Sequence, residues 1–319
     1  TTGDKKEVMV DMPDHKVAIA KVFEMLTDKK EGVINSVDEI DAVGHRFVQG
    51  GWLFNESVLM NEDVVKKLDQ IAELSPLHAH ANMAGYKGCV ALMPNTPQVT
   101  VFDTSFHATM PAKAYMYGIK YEDYEQYHVR KYGFHGTSHR YVMGECAKLL
   151  GKKPADINII TVHLGNGSSI TAIKNGKSVD TTMGLTPLEG LIMGTRSGDL
   201  DPTVVSYLGN KKNMTAEQVV NYLNKQCGIM GVSGVSSDMR ELNSAIEAGN
   251  ERARLALDML IYRVKKFIGS YMAVLGRVDA IVFTGGIGEN QEDLREESLK
   301  DMEMYGIEID VDKNNHLPR

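Results

Sequence analysis

Cysteine is scarce in this 319-residue chain: Cys89, Cys146 and Cys227 are the only three. An odd number without metal-ligand spacing argues against a disulfide framework and predicts reduced thiols in a cytoplasmic protein. No stretch reads as a signal peptide, a long apolar run or a low-complexity tract, so nothing predicts membrane association. Basic residues are outnumbered: 35 Lys and Arg against 42 Asp and Glu leave a net charge of −7, which disfavours nucleic acid and anionic membranes as partners. Any anionic ligand must then be met by locally placed Arg, His and backbone amides. There is no initiator Met, and the ends Thr1-Thr2-Gly3 and Leu317-Pro318-Arg319 read as the edges of a fragment. What is present is ordinary for a globular protein, with 43% hydrophobic and 24% charged residues and 18 Met that predict gap-filling core. The length predicts two domains with sizeable cores.

The densest patterning lies between residues 157 and 202. Residues 157–162 form a β-branched apolar run and predict a strand. His163-Leu164-Gly165-Asn166-Gly167-Ser168-Ser169 follows. Two glycines around an Asn predict a turn with positive φ, of the kind that aims several N–H groups at one anion. Residues 170–174 predict a second strand, Asn175-Gly176 a hairpin turn and residues 177–181 a third strand. The hairpin leads to Gly194-Thr195-Arg196-Ser197-Gly198-Asp199, an Arg on a glycine-flanked loop near Asp201. Arg is the planar, bidentate donor for carboxylate or phosphate. Each glycine alone reads as turn chemistry; the set points to an anion site.

Elsewhere, residues 17–26 predict a helix with Asp14 as its cap, and residues 40–48 a strand carrying His45 and Arg46. An Arg inside an apolar run needs a structural partner or a ligand. Residues 62–74 and 81–92 predict helices; His78 and His80 between them lack a third metal ligand. Residues 97–102 predict a strand with Asp103 at its C-terminal end, where ligands bind in α/β sheets. Asp103 is thus an acid/base or metal-linked candidate, with a helix cap as the competing reading. The Tyr-rich residues 115–127 suggest packing or subunit contact. Gly133-Phe134-His135-Gly136 pins a His before a helix over 138–150, where it can donate to an anion or serve as a core histidine. Residues 154–156 read as a crossing between domains. A helix capped by Thr215 is expected over 216–223, then a Gly/Ser/Val loop over 228–236 and Asp238 in the first turn of a helix. Residues 250–275 predict a long helix whose buried face carries Leu257, Leu260, Ile261, Val264, Phe267, Ile268, Tyr271 and Val274. A buried strand over 279–283 runs into Thr284-Gly285-Gly286-Ile287-Gly288-Glu289-Asn290 and a helix reaching residue 304, a second strand, glycine turn and helix.

Together, Gly44-His45-Arg46, Val101-Phe102-Asp103-Thr104, residues 131–139, residues 163–169, Gly194-Thr195-Arg196 and residues 283–290 resemble the acetate kinase family. That family lies within the acetate-and-sugar-kinase, heat-shock ATPase and actin superfamily. The resemblance implies an α/β fold of two duplicated actin-like (ribonuclease H-like) domains, here residues 1–153 and 154–319, with an interdomain active-site cleft. It implies reversible in-line transfer of the ATP γ-phosphoryl to acetate, giving acetyl phosphate and ADP. By similarity, Asp103, Arg196, His135 and Arg46 are catalytic. Arg46 also joins Val48, Leu77, Phe134 and Pro187 in holding the acyl substrate. His163, Leu164, Gly165, Asn166 and Gly167 face the nucleotide phosphates. Asp238, Met239, Arg240, Gly285, Gly286, Ile287, Gly288 and Asn290 lie around the rest of the nucleotide. The resemblance also implies Mg²⁺ (or Mn²⁺), reached by Asp103 through water, and a cytoplasmic homodimer.

Some of the family pattern is missing. The family's opening strand, its Asn-Ala-Gly-Ser-Ser-Ser-type phosphate loop and its C-terminal segment with a Glu implicated in Mg²⁺ binding have no match here. Gln49 stands where the family usually has His, and Leu77-His78-Ala79-His80-Ala81-Asn82 replaces Leu-His-Asn-Pro-Pro-Asn. Three alternatives stay open: a propionate or butyrate kinase, a nucleotide-binding module without catalysis, and a sugar kinase or heat-shock-type ATPase that turns over ATP without acetate.

Overall fold

The computed structural model describes residues 7, 9–12 and 14–316, apart from the side chains of residues 15, 16, 76 and 77. It divides into two units, Thr1–Asp103 and Thr104–Arg319. The division expected from the sequence, between residues 153 and 154, falls within the second of these.

In the first unit, α1 (His15–Leu26) starts at Asp14, whose carboxylate accepts from the Val17 N–H. The chain continues through β1 (Val43–Phe47), β2 (Val58–Leu59), α2 (Glu62–Gln70), α3 (Pro76–Leu92) and β3 (Gln98–Phe102). Strand order is β1-β3-β2, with β1 parallel and β2 antiparallel to β3. Phe47, Phe54, Leu68, Ile71 and Phe102 form its core. Two expectations change. The helix expected over 62–74 ends at Gln70 and tightens into a 3₁₀ turn at Ala72–Leu74. The next helix opens at Pro76 rather than at residue 81, because Pro fits the first helical turn, where an N–H has no partner to lose.

The second unit opens with α4 (Ala112–Tyr115), α5 (Tyr121–Tyr127) and α6 (Gly136–Leu149). Its sheet consists of β4 (Asn158–Leu164), β5 (Ser168–Lys174), β6 (Lys177–Thr181) and β7 (Ala280–Thr284), in the order β6-β5-β4-β7. β4, β5 and β6 are antiparallel neighbours, and β7 lies parallel to β4. Between β6 and β7 run α7 (Thr203–Lys212), α8 (Ala216–Lys225), α9 (Gly228–Ser233), α10 (Met239–Glu247) and α11 (Glu251–Leu275). After β7 come α12 (Gly285–Asn290), α13 (Glu292–Leu299) and α14 (Val311–Asn315).

Strand alternation decides what each face of this sheet carries. Ile160, Val162, Leu164, Ile170 and Ala172 pack against Leu257, Leu260, Val264 and Ile268 of α11. The intervening Ile159 and Ile173 pack against Met143, Cys146 and Ala147 of α6. Thr161, His163, Ser169 and Thr171 share that second face, which therefore turns polar toward the end of β4.

The Asn-Gly hairpin forms as predicted, with φ of 51° at Asn175 and 76° at Gly176. The residues expected as a loop at 228–236 instead open with α9. The helix expected to reach residue 304 breaks at Gln291 into α12 and α13. Val274, expected on the buried face of α11, is 51% exposed. β7 is half-buried rather than buried along most of its length, since it stands at the edge of the sheet.

Candidate active site

In the first unit, β1 and β3 pair in parallel with Phe47 opposite Phe102. Asp103 follows directly, its N–H donating to the Phe47 carbonyl at 3.0 Å. Arg46 Nε donates to Asp103 Oδ1 at 2.9 Å and Nη2 to Oδ2 at 2.6 Å. This bidentate pair gives the Arg inside an apolar run its partner. Donating these bonds to Asp103 raises the Arg46 pKa. The Asp103 side chain is 3% exposed, whereas that of Arg46 is 67% exposed. The carboxylate thus anchors a guanidinium that still presents its outer edge to solvent. Val48 is buried, and its N–H donates to Asn82 Oδ1 at 3.1 Å. Gln49 is buried as well: its Oε1 accepts from the Gly51 N–H at 2.9 Å. The Leu77 side chain lies outside the described residues.

In the second unit, His135 sits at the N-terminus of α6 in the left-handed region, with φ of 56°. Gly133 makes that approach possible. Its φ is 75°, and a Cβ there would come within 2.4 Å of Thr181 Cγ2 and 2.7 Å of the His107 ring. The buried His107 closes the segment by donating from Nε2 to the Phe134 carbonyl at 2.8 Å. A carbonyl can only accept, so His107 Nδ1 accepts from the Ser178 hydroxyl at 2.9 Å. Burial pushes the His107 pKa down to about 4, so this ring is neutral.

His163, at the end of β4, pairs across the sheet with Ser169 of β5. The rings of His135 and His163 lie 4.3 Å apart. His163 Nδ1 is 2.8 Å from the Ser138 hydroxyl, and His135 Nδ1 is 2.9 Å from that of Ser169. Between the two strands the turn at Gly165, Asn166 and Gly167 does not adopt the positive φ that the glycines suggest. Gly167 instead leaves the turn bare: a Cβ there would stand in ordinary contact, 3.4 Å from both Arg196 Nη1 and His135 Nε2. Those two nitrogens converge on the bare turn. At Gly194 a Cβ would come within 2.1 Å of Asn166 Oδ1, so the Arg loop also lies directly on this turn.

That loop is clamped by backbone hydrogen bonds from Cys227 to Thr195 and from Ile229 to Met193, both near 3 Å. Arg196 Nη1 donates to the Pro187 carbonyl at 3.3 Å. Unlike Arg46, Arg196 has no carboxylate partner among the described residues, and burial pushes its pKa down. A partly buried cation without a counter-charge, beside a His nitrogen and a side-chain-free turn, is a receptor for an anion.

The remaining candidates lie in the same unit. Phe134 is buried and Pro187 half-buried. The side chains of Leu164 and Met239 are in the core, which leaves their backbone for a ligand. Asp238 caps α10 and holds Arg240 through Nε at 3.1 Å and Nη2 at 2.6 Å; these bonds lower its pKa to about 2. After β7, Gly285 takes a φ of 79° against the Leu164 carbonyl. Gly286 is open, Ile287 and Gly288 pack inward, and Asn290 Nδ2 donates to the Gly286 carbonyl at 2.8 Å.

Among the described residues, no group of three His, Cys, Asp or Glu side chains is placed to hold a metal. Sequence reading assigns no role to His139 or Thr161, although both are buried behind His135. The available signal was the spacing of His135 and His139, four residues apart and so on one helix face.

An Arg without an ion-pair partner among the described residues, a His and a glycine turn thus gather in one α/β unit, with the charge to meet an anion. Residues 1–319 match the acetokinase family throughout. The chain is 54% identical over 314 residues to the acetate kinase of Acetivibrio thermocellus and 55% over 313 residues to that of Finegoldia magna. Each alignment covers 98% of this chain and 79% of the relative. Among solved structures, the acetate kinase of Porphyromonas gingivalis superposes with a TM-score of 0.91 at 49% identity, over 96% of this chain and 76% of that one. A propionate kinase from Francisella tularensis gives 0.89 at 43% identity, over 94% and 76%. The chain belongs to the acetokinase family, and its α/β fold is the fold of these structures.

Proposed function

We propose that the chain catalyses reversible transfer of the γ-phosphoryl group of ATP to acetate, giving acetyl phosphate and ADP. The observation that carries this reading is the convergence of Arg196 Nη1 and His135 Nε2 on the bare Gly167 turn. Phosphoryl transfer needs little covalent help; it needs positioning and neutralisation of charge on the equatorial oxygens. An acetate oxygen forms a bond to the γ-phosphorus as the bond to the β–γ bridging oxygen breaks. The bridging oxygen leaves on ADP with its electron pair, and no proton has to move.

In this reading Arg196 and His135 donate to the transferring phosphoryl group. Arg46, held by Asp103, binds the acyl carboxylate, and Val48, Leu77, Phe134 and Pro187 enclose the methyl group. His163, Leu164, Gly165, Asn166 and Gly167 border the phosphates; Asp238, Met239, Arg240, Gly285, Gly286, Ile287, Gly288 and Asn290 border the rest of the nucleotide. Mg²⁺ (or Mn²⁺) would take most of its shell from phosphate and water, since no group of three His, Cys, Asp or Glu side chains among the described residues is placed to hold it. Asp103 then meets that shell through water, and the ion would neutralise phosphate charge. Free cysteines support a cytoplasmic protein, and no helix among the described residues is long and apolar enough to cross a membrane. A homodimer completes the reading, with Leu255 and Tyr262 exposed seven residues apart on α11.

Trapping with hydroxylamine tests the activity. Acyl hydroxamate should form only when ATP, Mg²⁺ and acetate are all present, and ATP turnover that ignores acetate would overturn it. Propionate is the second reading, favoured by the similarity to a propionate kinase; the same assay with propionate in place of acetate compares the two.

A further inference from the structure

The ring nitrogen of His135 that faces the Gly167 turn is one end of a buried chain of hydrogen bonds. His135 Nδ1 is 2.9 Å from Ser169 Oγ, and Ser169 Oγ is 2.7 Å from His139 Nε2. On the far side of that ring, His139 Nδ1 is 2.7 Å from Thr161 Oγ1. Thr161, His139 and Ser169 are all fully buried. The first comes from β4, the second from α6 and the third from β5. They meet because alternation puts Thr161 and Ser169 on the α6 face of the sheet.

The chain has a direction. Desolvation, together with the charges of His107, His135 and His163, keeps the pKa of His139 well below its usual value, so this ring is neutral and carries one N–H. Thr161 Oγ1 makes its only side-chain hydrogen bond among the described residues to His139. A buried hydroxyl with one partner donates to it, because a buried donor without an acceptor costs about 1–3 kcal/mol. Thr161 therefore donates to His139 Nδ1. The His139 proton is then on Nε2 and is donated to Ser169 Oγ. Ser169 has one proton of its own, which goes to His135 Nδ1. That leaves the proton of a neutral His135 on Nε2, the nitrogen beside Arg196 and Gly167.

We propose that Thr161, His139 and Ser169 are positioning residues that lock His135 as the neutral Nε2–H tautomer, so that it presents a hydrogen-bond donor to the anion held by Arg196. An imidazole in the other tautomer would present a lone pair to a phosphoryl oxygen and repel it. This inference rests on the phosphotransfer reading for the identity of the anion, but the tautomer itself does not depend on it.

Long-range ¹H–¹⁵N correlation on the ¹⁵N-histidine-labelled chain at neutral pH, without substrate, reads the tautomer directly; His135→Gln identifies the signal. The expected result is a neutral His135 protonated at Nε2. Ser169→Ala should abolish that single tautomer and lower kcat by about 10- to 100-fold, the usual effect of removing a partner that orients a working histidine. KM for ATP and for acetate should stay within about twofold, since no substrate contact is lost. A wild-type His135 protonated at Nδ1, or at both nitrogens, overturns the proposal. So does a Ser169→Ala chain in which both tautomer and kcat are unchanged. If the wild type shows the Nε2–H tautomer but makes no acyl phosphate, the phosphotransfer reading fails and the hydrogen-bond chain stands.

Discussion

Two arginines of one chain carry opposite electrostatic arrangements, and each has a measurable consequence. Arg46 is neutralised by a buried carboxylate, while Arg196 keeps an uncompensated charge that burial disfavours. Arg196→Ala should lower kcat by about 10²–10³, since removing one preorganised donor costs about 3–4 kcal/mol of transition-state stabilisation. The same change should leave the melting temperature unchanged or raise it, because an unpaired cation is removed. Steady-state kinetics and thermal melting on one preparation check both, and wild-type turnover would contradict the assigned role. The buried histidines predict a pH effect. His107 has its pKa lowered to about 4 by burial, and His139 is also held well below its usual value. In the unfolded chain each binds a proton near pH 6.5, so between about pH 6.5 and 4 the unfolded state binds more protons. Stability is therefore fully present above about pH 6.5 and falls as pH drops, by about 1.5 kcal/mol for His107 between pH 6.5 and 5, with a further loss of the same sign from His139. Urea unfolding at pH 7.5 and 5 measures this, and equal midpoints would contradict it.

At the scale of elements, the decisive piece is the hairpin of β4 and β5 with its bare turn. Gly167→Ala should leave stability within about 1 kcal/mol, as the residue is not in the left-handed region. It should still cut kcat/KM more than about tenfold, because the new methyl sits 3.4 Å from both Arg196 Nη1 and His135 Nε2. Retained activity would show that this point is not where the anion binds. Much of the hairpin was legible in the sequence. The β-branched run of β4 and the Asn-Gly turn that joins β5 to its next neighbour β6 state their own geometry through local backbone preference, whereas the turn between β4 and β5 does not take the positive φ its glycines suggest. The role of Gly167 was not legible, because it is set by Arg196 and His135, which reach the turn from elsewhere in the chain. The same limit hid the link from Thr161 to His139: a strand pattern gives alternation, but not which helix covers the face. Local reading also failed at α9, where six residues fold into a short helix held against the Arg loop despite a glycine at each end of Gly228–Gly231. At Val274 the expected period slipped: the buried stripe of α11 closes with Tyr271 and Leu275, and Val274 stands off it.

For the molecule as a whole, an acidic chain that handles anions has to concentrate positive potential locally. A net charge of −7 repels a nucleotide at long range, so binding depends on fixed donors such as Arg196, His135 and backbone amides. The motifs that carry these donors run through most of the sequence, and the acetokinase match extends over residues 1–319. The central claim is direct transfer to a carboxylate, and phosphorus NMR of the running reaction tests it most directly. With ATP, Mg²⁺ and acetate, acetyl phosphate and ADP should rise together in equal amounts while inorganic phosphate stays flat. ADP accumulating with inorganic phosphate, at the same rate with or without acetate, would contradict it.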